Sequence, residues 1–186
     1  METLEERVKR VLQEEVSIDS YNPAWPRMFA EEKRHLLNCL PHELIRRIEH
    51  FGSTAVPNLA AKSVVDILVE VTSLEETKNR IVPVLEAQGY DYFWRTDVSP
   101  AYAWFIKRDS SGGRTHHIHM VESRFEQWDR LLFRDYLIDH PQIAREYEVL
   151  KRSLAANCEH DREAYTKGKT EFVVRVTQRA KEFYAR

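Results

Sequence analysis

At 186 residues, 42% of them hydrophobic and 31% charged, the chain has the length for one globular domain with a buried core, and is short for two. A net charge of −2 and an isoelectric point near 6.5 argue against a protein that grips nucleic acid mainly by releasing counterions, so nucleic acid is not an expected partner. No apolar run approaches the ~20 residues of a bilayer span, and METLEERVKRVLQEEV is charged throughout, unlike a signal peptide; with Cys39 and Cys158 the sole cysteines, reduced buried thiols and a cytoplasmic location are expected.

Residues 3–16 carry an apolar stripe, Leu4, Val8, Val11 and Leu12, behind a Thr3/Glu6 capping box, and predict an extra N-terminal helix within 1–18. A loop, SIDSYNPAW, leads to a second helix with Pro26 in its first turn and Phe29, Leu36, Leu37 and Leu40 as core candidates, stopped by Pro41. Strands are expected over Leu44–Phe51 and Ser63–Val71. Ser73 with Glu76 opens a further helix toward Gly89, which Pro83 should kink or split. Three aromatic, β-rich runs follow, Tyr90–Trp94, Tyr102–Lys107 and Arg114–Val121, the last two flanking a DSSGG hairpin loop. From Phe125 onward the pattern is helical, broken at Asp139-His140-Pro141 and again around His160-Asp161. The expected architecture is an α+β fold: a mixed β-sheet of about five strands with flanking helices and a helical C-terminal third, in one domain.

The stretch His50–Val71, HFGSTAVPNLAAKSVVDILVEV, concentrates the chemistry. Gly52 permits a sharp turn or a close approach, and the Ser53 hydroxyl and following amides suit a phosphate. In the strand after it, Val65, Ile67, Val69 and Val71 share an apolar face, and Asp66, Leu68 and Glu70 share the other. A solvated carboxylate is the plainer reading for Glu70, whereas Asp66 is a candidate metal ligand. In Arg114–Val121, Ile118 and Met120 face one way and His117 and His119 the other, about 7 Å apart, where two imidazoles can hold a metal, meet a phosphate or carry protons. In the helical third, Arg134, Lys151, Lys167 and Lys169 are ordinary helix charges taken singly. FRDYL and YTKGK set Tyr136 and Tyr165 beside cations as flat partners. Gly168-Lys169-Thr170 is not a P-loop, because Glu163 stands where that motif needs glycine, and Cys158 has no zinc-ligand spacing with the histidines.

HFGSTAVPNLAAKSVVDILVEV, RTHHIHMVE, FRDYL followed by His-Pro, and AYTKGK, in that order, resemble the GrpB family over roughly Tyr21–Phe183. The family is assigned to the nucleotidyltransferase superfamily. The resemblance implies a nucleotidyltransferase-like mixed sheet, an active-site corner at the Gly-Ser turn, a nucleotide or other phosphorylated small molecule as substrate, and a divalent metal, Mg²⁺ or Mn²⁺. Nucleotidyltransferases mount two carboxylates at alternate strand positions to hold two ions. Here Asp66 fits the first, Leu68 replaces the second, and Glu70 lies about 13 Å from Asp66 along the strand. His117 and His119 would substitute, a donor set that favours Mn²⁺ or Zn²⁺ over Mg²⁺. On this reading Asp66, His117 and His119 are catalytic and metal-binding, while Gly52, Ser53, Lys62, Arg134, Tyr136, Lys151, Tyr165 and Lys169 bind phosphate or nucleotide. GrpB-like domains fused to dephospho-coenzyme A kinases imply a link to coenzyme A metabolism. The rival expectations are a phosphate-binding module that kept the fold without catalysis, and a histidine-dependent nucleotide phosphohydrolase, in which Val121 would occupy the third histidine position of a histidine triad.

Overall fold

Strand β2 (Val65–Val71) lies inside the sheet with a strand paired along each edge, and its composition explains why it is buried. Val65, Ile67, Leu68 and Val69 are all 0% exposed, worth roughly 6–12 kcal/mol together against leaving them in water. A one-residue slip would drive Asp66 and Glu70 into that core, so the register is fixed. The structure is a computed structural model describing Glu6 and residues 16–96, 100–158 and 161–185. The expected N-terminal helix over residues 3–16 lies outside the described residues, Glu6 and Val16 excepted.

In chain order, helix α1 (Trp25–Cys39) precedes β1 (Ile45–Phe51) and β2. The short helices α2 (Leu74–Glu76) and α3 (Val82–Ala87) follow, then β3 (Asp91–Arg95), β4 (Tyr102–Arg108) and β5 (Arg114–Val121). Helices α4 (Asp129–Asp139), α5 (Pro141–Asn157), α6 (Arg162–Gly168) and α7 (Thr170–Tyr184) complete it. The five strands form one mixed sheet in the order β1-β2-β5-β4-β3, with β2 and β5 parallel and the other pairs antiparallel. The α+β expectation therefore holds, strands, hairpin loop and helical C-terminal third included. Among the described residues no helix is long and apolar enough to cross a membrane.

By contacts the chain divides into two compact units: a sheet unit, Asn22–Ala55 with Ser63–Trp128, and a helical unit, Met1–Tyr21 with Val56–Lys62 and Asp129–Arg186. In the sheet unit, Ile67 and Val69 pair with Ile118 and Met120, and α1 covers this face. Phe29 and Leu37 of α1 are only half-buried; Trp25, Leu36 and Leu40 do the packing. Glu32, 2% exposed on the same helix, accepts hydrogen bonds from the Tyr90 hydroxyl at 2.5 Å and from the Lys107 ammonium, so its buried charge is paired. Pro83 splits its helix as expected: a π-turn over Thr77–Ile81 carries the Val82 N–H to the Thr77 carbonyl, five residues back, so the chain widens where proline cannot donate. Cys39 and Cys158 are free thiols, half-buried rather than buried.

The helical unit packs Val56 and Leu59 with Phe133, Leu137, Tyr147 and Phe172 from α4, α5 and α7. His140, at the α4–α5 break, stacks on Tyr136 with ring centroids 3.9 Å apart, and Asp161 caps α6 by accepting from the Ala164 N–H at 2.8 Å.

Candidate functional site

Parallel pairing sets Asp66 of β2 opposite His117 of β5, and Leu68 opposite His119. Cross-strand partners point to one face, so the sheet brings together the acid and the two imidazoles that alternation alone suggests. Each offers a ligand atom, and the three atoms lie within 4.8 Å of one another. The rings of His117 and His119 are 6.4 Å apart.

Each imidazole is oriented by a second group. His117 Nδ1 meets Asp66 Oδ1 at 3.1 Å, and the Arg114 guanidinium sits 3.4 Å from His117 Nε2. A guanidinium only donates, so Nε2 carries the lone pair and the Nδ1–H donates to Asp66. His119 Nδ1 pairs with the Tyr102 hydroxyl at 3.2 Å. Phe51 and Trp104 meet the two rings edge-on, Phe51 on His119 at 5.2 Å and Trp104 on His117 at 5.2 Å. The Arg95 guanidinium lies over Trp104 at 5.2 Å. Trp104 is 9% exposed and its indole N–H is buried without a hydrogen-bond partner, a cost of about 1–3 kcal/mol of the kind that persists where a ligand can supply the acceptor.

Gly52 closes the corner. Its φ is +74°, and a Cβ built there would stand 2.5 Å from Asp66 Oδ2 and 3.0 Å from Asp66 Cβ. The backbone therefore runs against the carboxylate itself, and Ser53, half-buried, opens the 3₁₀ turn Ser53–Ala55. Leu68 is fully buried between Glu49 and His119, so the place of a second carboxylate is filled by an apolar side chain.

The remaining expected site residues belong to the helical unit. Tyr165 is 1% exposed, with the Lys62 and Lys169 ammoniums 5.3 and 4.4 Å from its ring centre. Lys151 is 2% exposed; its ammonium donates to the Ala60 carbonyl and lies 4.9 Å from the Tyr147 ring centre. Burial, followed by the charge of Lys169, pushes this amine down to about 7. Arg134 and Tyr136 keep other company: Arg134 binds Asp135 at 2.7 Å and Tyr136 stacks on His140 inside the hydrophobic cluster.

Arg95, Tyr102, Trp104 and Arg114 escaped sequence reasoning. The signal for two of them was present: extending the DSSGG hairpin pairs Trp104 with His119 and, by alternation, carries Tyr102 to the same face.

The model of the GrpB protein family matches residues 15–179. The chain belongs to the GrpB family. Among GrpB relatives, a UPF0157 protein of Pseudomonas aeruginosa is 43% identical over 86% of this chain, and the UPF0157 protein YqkA of Bacillus subtilis is 39% identical over 90%. The chain spans 65% and 48% of their respective lengths. The crystal structure of GrpB from Enterococcus faecalis superposes with a TM-score of 0.81 at 32% identity, covering 91% of this chain and 100% of that one. A lower likeness, 29% identity over 77% of this GrpB chain and 40% of the other, is to a dephospho-CoA kinase of Mycolicibacterium paratuberculosis.

Proposed function

We propose that this GrpB chain is a nucleotidyltransferase-like enzyme acting on a nucleotide or other phosphorylated small molecule, with one divalent ion held by Asp66, His117 and His119. The observation that carries the proposal is the meeting of three ligand atoms within 4.8 Å, on one sheet face, against the Gly52 turn. Ligand atoms about 2.1 Å from a shared ion stand roughly 3–4 Å apart, so small side-chain rotations suffice. Two imidazoles and one carboxylate suit Mn²⁺ or Zn²⁺ better than Mg²⁺. Bound there, the ion would polarise a phosphoryl oxygen and offset its charge.

The chain's own groups divide the remaining work. Tyr102 orients the ring of His119 and Asp66, accepting from Nδ1–H, that of His117, while Arg114, giving up His117 Nε2 to the ion, joins Arg95 in adding positive charge for phosphate oxygens. The Gly52–Ser53 turn gives the substrate phosphates a close backbone approach. The likeness to a dephospho-CoA kinase supports a substrate link to coenzyme A metabolism, and the residue content supports a cytoplasmic setting.

The test is nucleotide turnover with Mn²⁺ or Mg²⁺ in wild type and Asp66→Ala. A loss of at least 100-fold is expected, in line with removing an essential ligand; equal rates end the proposal. Tyr102→Phe leaves all three ligands in place but frees His119 to turn. Titration calorimetry should find Mn²⁺ bound about tenfold or more weaker, with unfolding little changed. Buried Leu68 favours a second reading, a phosphate-binding module without catalysis. It predicts ligand-dependent thermal stabilisation that survives Asp66→Asn and needs no metal.

A further inference from the structure

The sheet face that carries the ion ligands continues past them. Val121 follows His119 by two residues on β5 and shares its face, about 7 Å further along the strand, with Tyr102 of β4 alongside. The Tyr102 ring meets both His119, 5.5 Å away, and Phe125, 5.4 Å away. Beside Tyr102, Val121 and Phe125 lies a cleft of about 140 Å³. Those three side chains give it a buried apolar lining, Leu74 is half-buried in its wall, and Arg124 at its edge is exposed. Glu122 fixes that edge: its Oε1 accepts from the Leu74 N–H at 2.9 Å, and its carbonyl accepts from the Trp128 indole N–H at 3.1 Å. All of these residues belong to the sheet unit. An apolar space with a polar edge, one aromatic ring away from an ion ligand, has the make-up of a small-molecule subsite.

We infer that this cleft is the specificity subsite of the ion centre and takes the single-ring, uracil-class base of a nucleotide whose phosphate reaches the ion. The phosphate end rests on the Asp66–His117–His119 reading; the ring end does not. Size sets the class. A cavity of about 150 Å³ holds one benzene ring, so a cleft of about 140 Å³ seats a pyrimidine but only one of the two rings of a purine. Tyr102 and Phe125 supply aromatic surface for the base. The Arg124 guanidinium only donates, and the carbonyl oxygens of a uracil edge are its complement. Tyr102 serves both ends, lining the cleft with its ring while its hydroxyl holds His119.

Uridine carries no phosphate, so its binding to the full chain in chelator reads the cleft alone. Ligand-observed NMR should find uridine bound and adenosine about tenfold or more weaker, as for a group that outgrows its pocket. Leu74→Trp keeps the backbone N–H that Glu122 accepts but fills the cleft, and should abolish uridine binding. Arg124→Ala, at an exposed position that leaves the apolar lining intact, should weaken it about fivefold, as losing one charge-assisted hydrogen bond implies. With Mn²⁺ present, uridine diphosphate should bind about tenfold or more tighter than uridine, a gain that Asp66→Ala removes. Were that gain missing while uridine still bound, the ion reading would fail and the cleft would stand. No uridine binding, adenosine bound as tightly as uridine, or uridine binding unchanged in both Leu74→Trp and Arg124→Ala would overturn the assignment.

Discussion

Gly52→Ala should cost on the order of 2–4 kcal/mol of stability and abolish Mn²⁺ binding. The two losses share one cause. At φ +74° an L side chain is strained, and the new methyl would stand 2.5 Å from Asp66 Oδ2. Aspartate has a short side chain, and its Cβ is also within 3.0 Å of the intruding carbon, so the carboxylate cannot simply swing aside. Its escape breaks the 3.1 Å contact with His117. Gly89→Ala is the control: φ there is +85°, but nothing lies within 4 Å of an added Cβ. It should cost about 1 kcal/mol from backbone strain alone and leave Mn²⁺ binding untouched. Denaturant unfolding and metal titration of the two variants measure both quantities. Identical behaviour of the two alanines would refute the steric coupling between turn and carboxylate.

Lys151→Met should remove a pH dependence as well as a charge. Burial, reinforced by Lys169, Arg152 and Lys62 and opposed by Glu148, holds the folded amine at about 7, against an ordinary value of 10.5. Between those limits the unfolded chain binds the proton and the folded chain does not, so stability rises with pH across the window. Below about 7 both forms are protonated and the full penalty of a buried ammonium remains. Above the ordinary value both are neutral and the penalty is gone. The slope from this group approaches about 1.4 kcal/mol per pH unit within the window. Chemical unfolding from pH 6 to 9.5 should therefore show wild type converging on Lys151→Met from below as pH rises. The aromatic Tyr147 contact and the Ala60 hydrogen bond are lost at every pH, so they shift the curves without bending them. Parallel curves would refute the buried-amine account.

What the sequence disclosed follows from the period of each element. Alternation in Val65–Val71 and Arg114–Val121 separates the apolar face from Asp66, His117 and His119 before any coordinates are needed, because strand side chains have only two directions. That the two strands lie side by side, and parallel, depends on pairing across about fifty residues and is not local information. Lys151 and Glu32 show the opposite case. Each lies on the apolar stripe of its helix, Lys151 four residues after Tyr147 and Glu32 four before Leu36, so their burial was readable from spacing that composition obscures. The company Lys62 keeps with Tyr165 has no local trace, since a seven-residue connection between two strands lends its side chains to helices a hundred residues further on.

That lending has a consequence for biosynthesis. Ala60 and the lysine that binds its carbonyl are 91 residues apart, which at ribosomal rates of 5–20 residues per second leaves roughly 5–20 s between their appearances. Throughout that interval Val56 and Leu59 wait as naked apolar groups on a nascent chain, natural targets for a holdase. For the same reason no single protease cut can release either half intact: severing the polypeptide after Trp128 strands Val56–Lys62 with the wrong fragment.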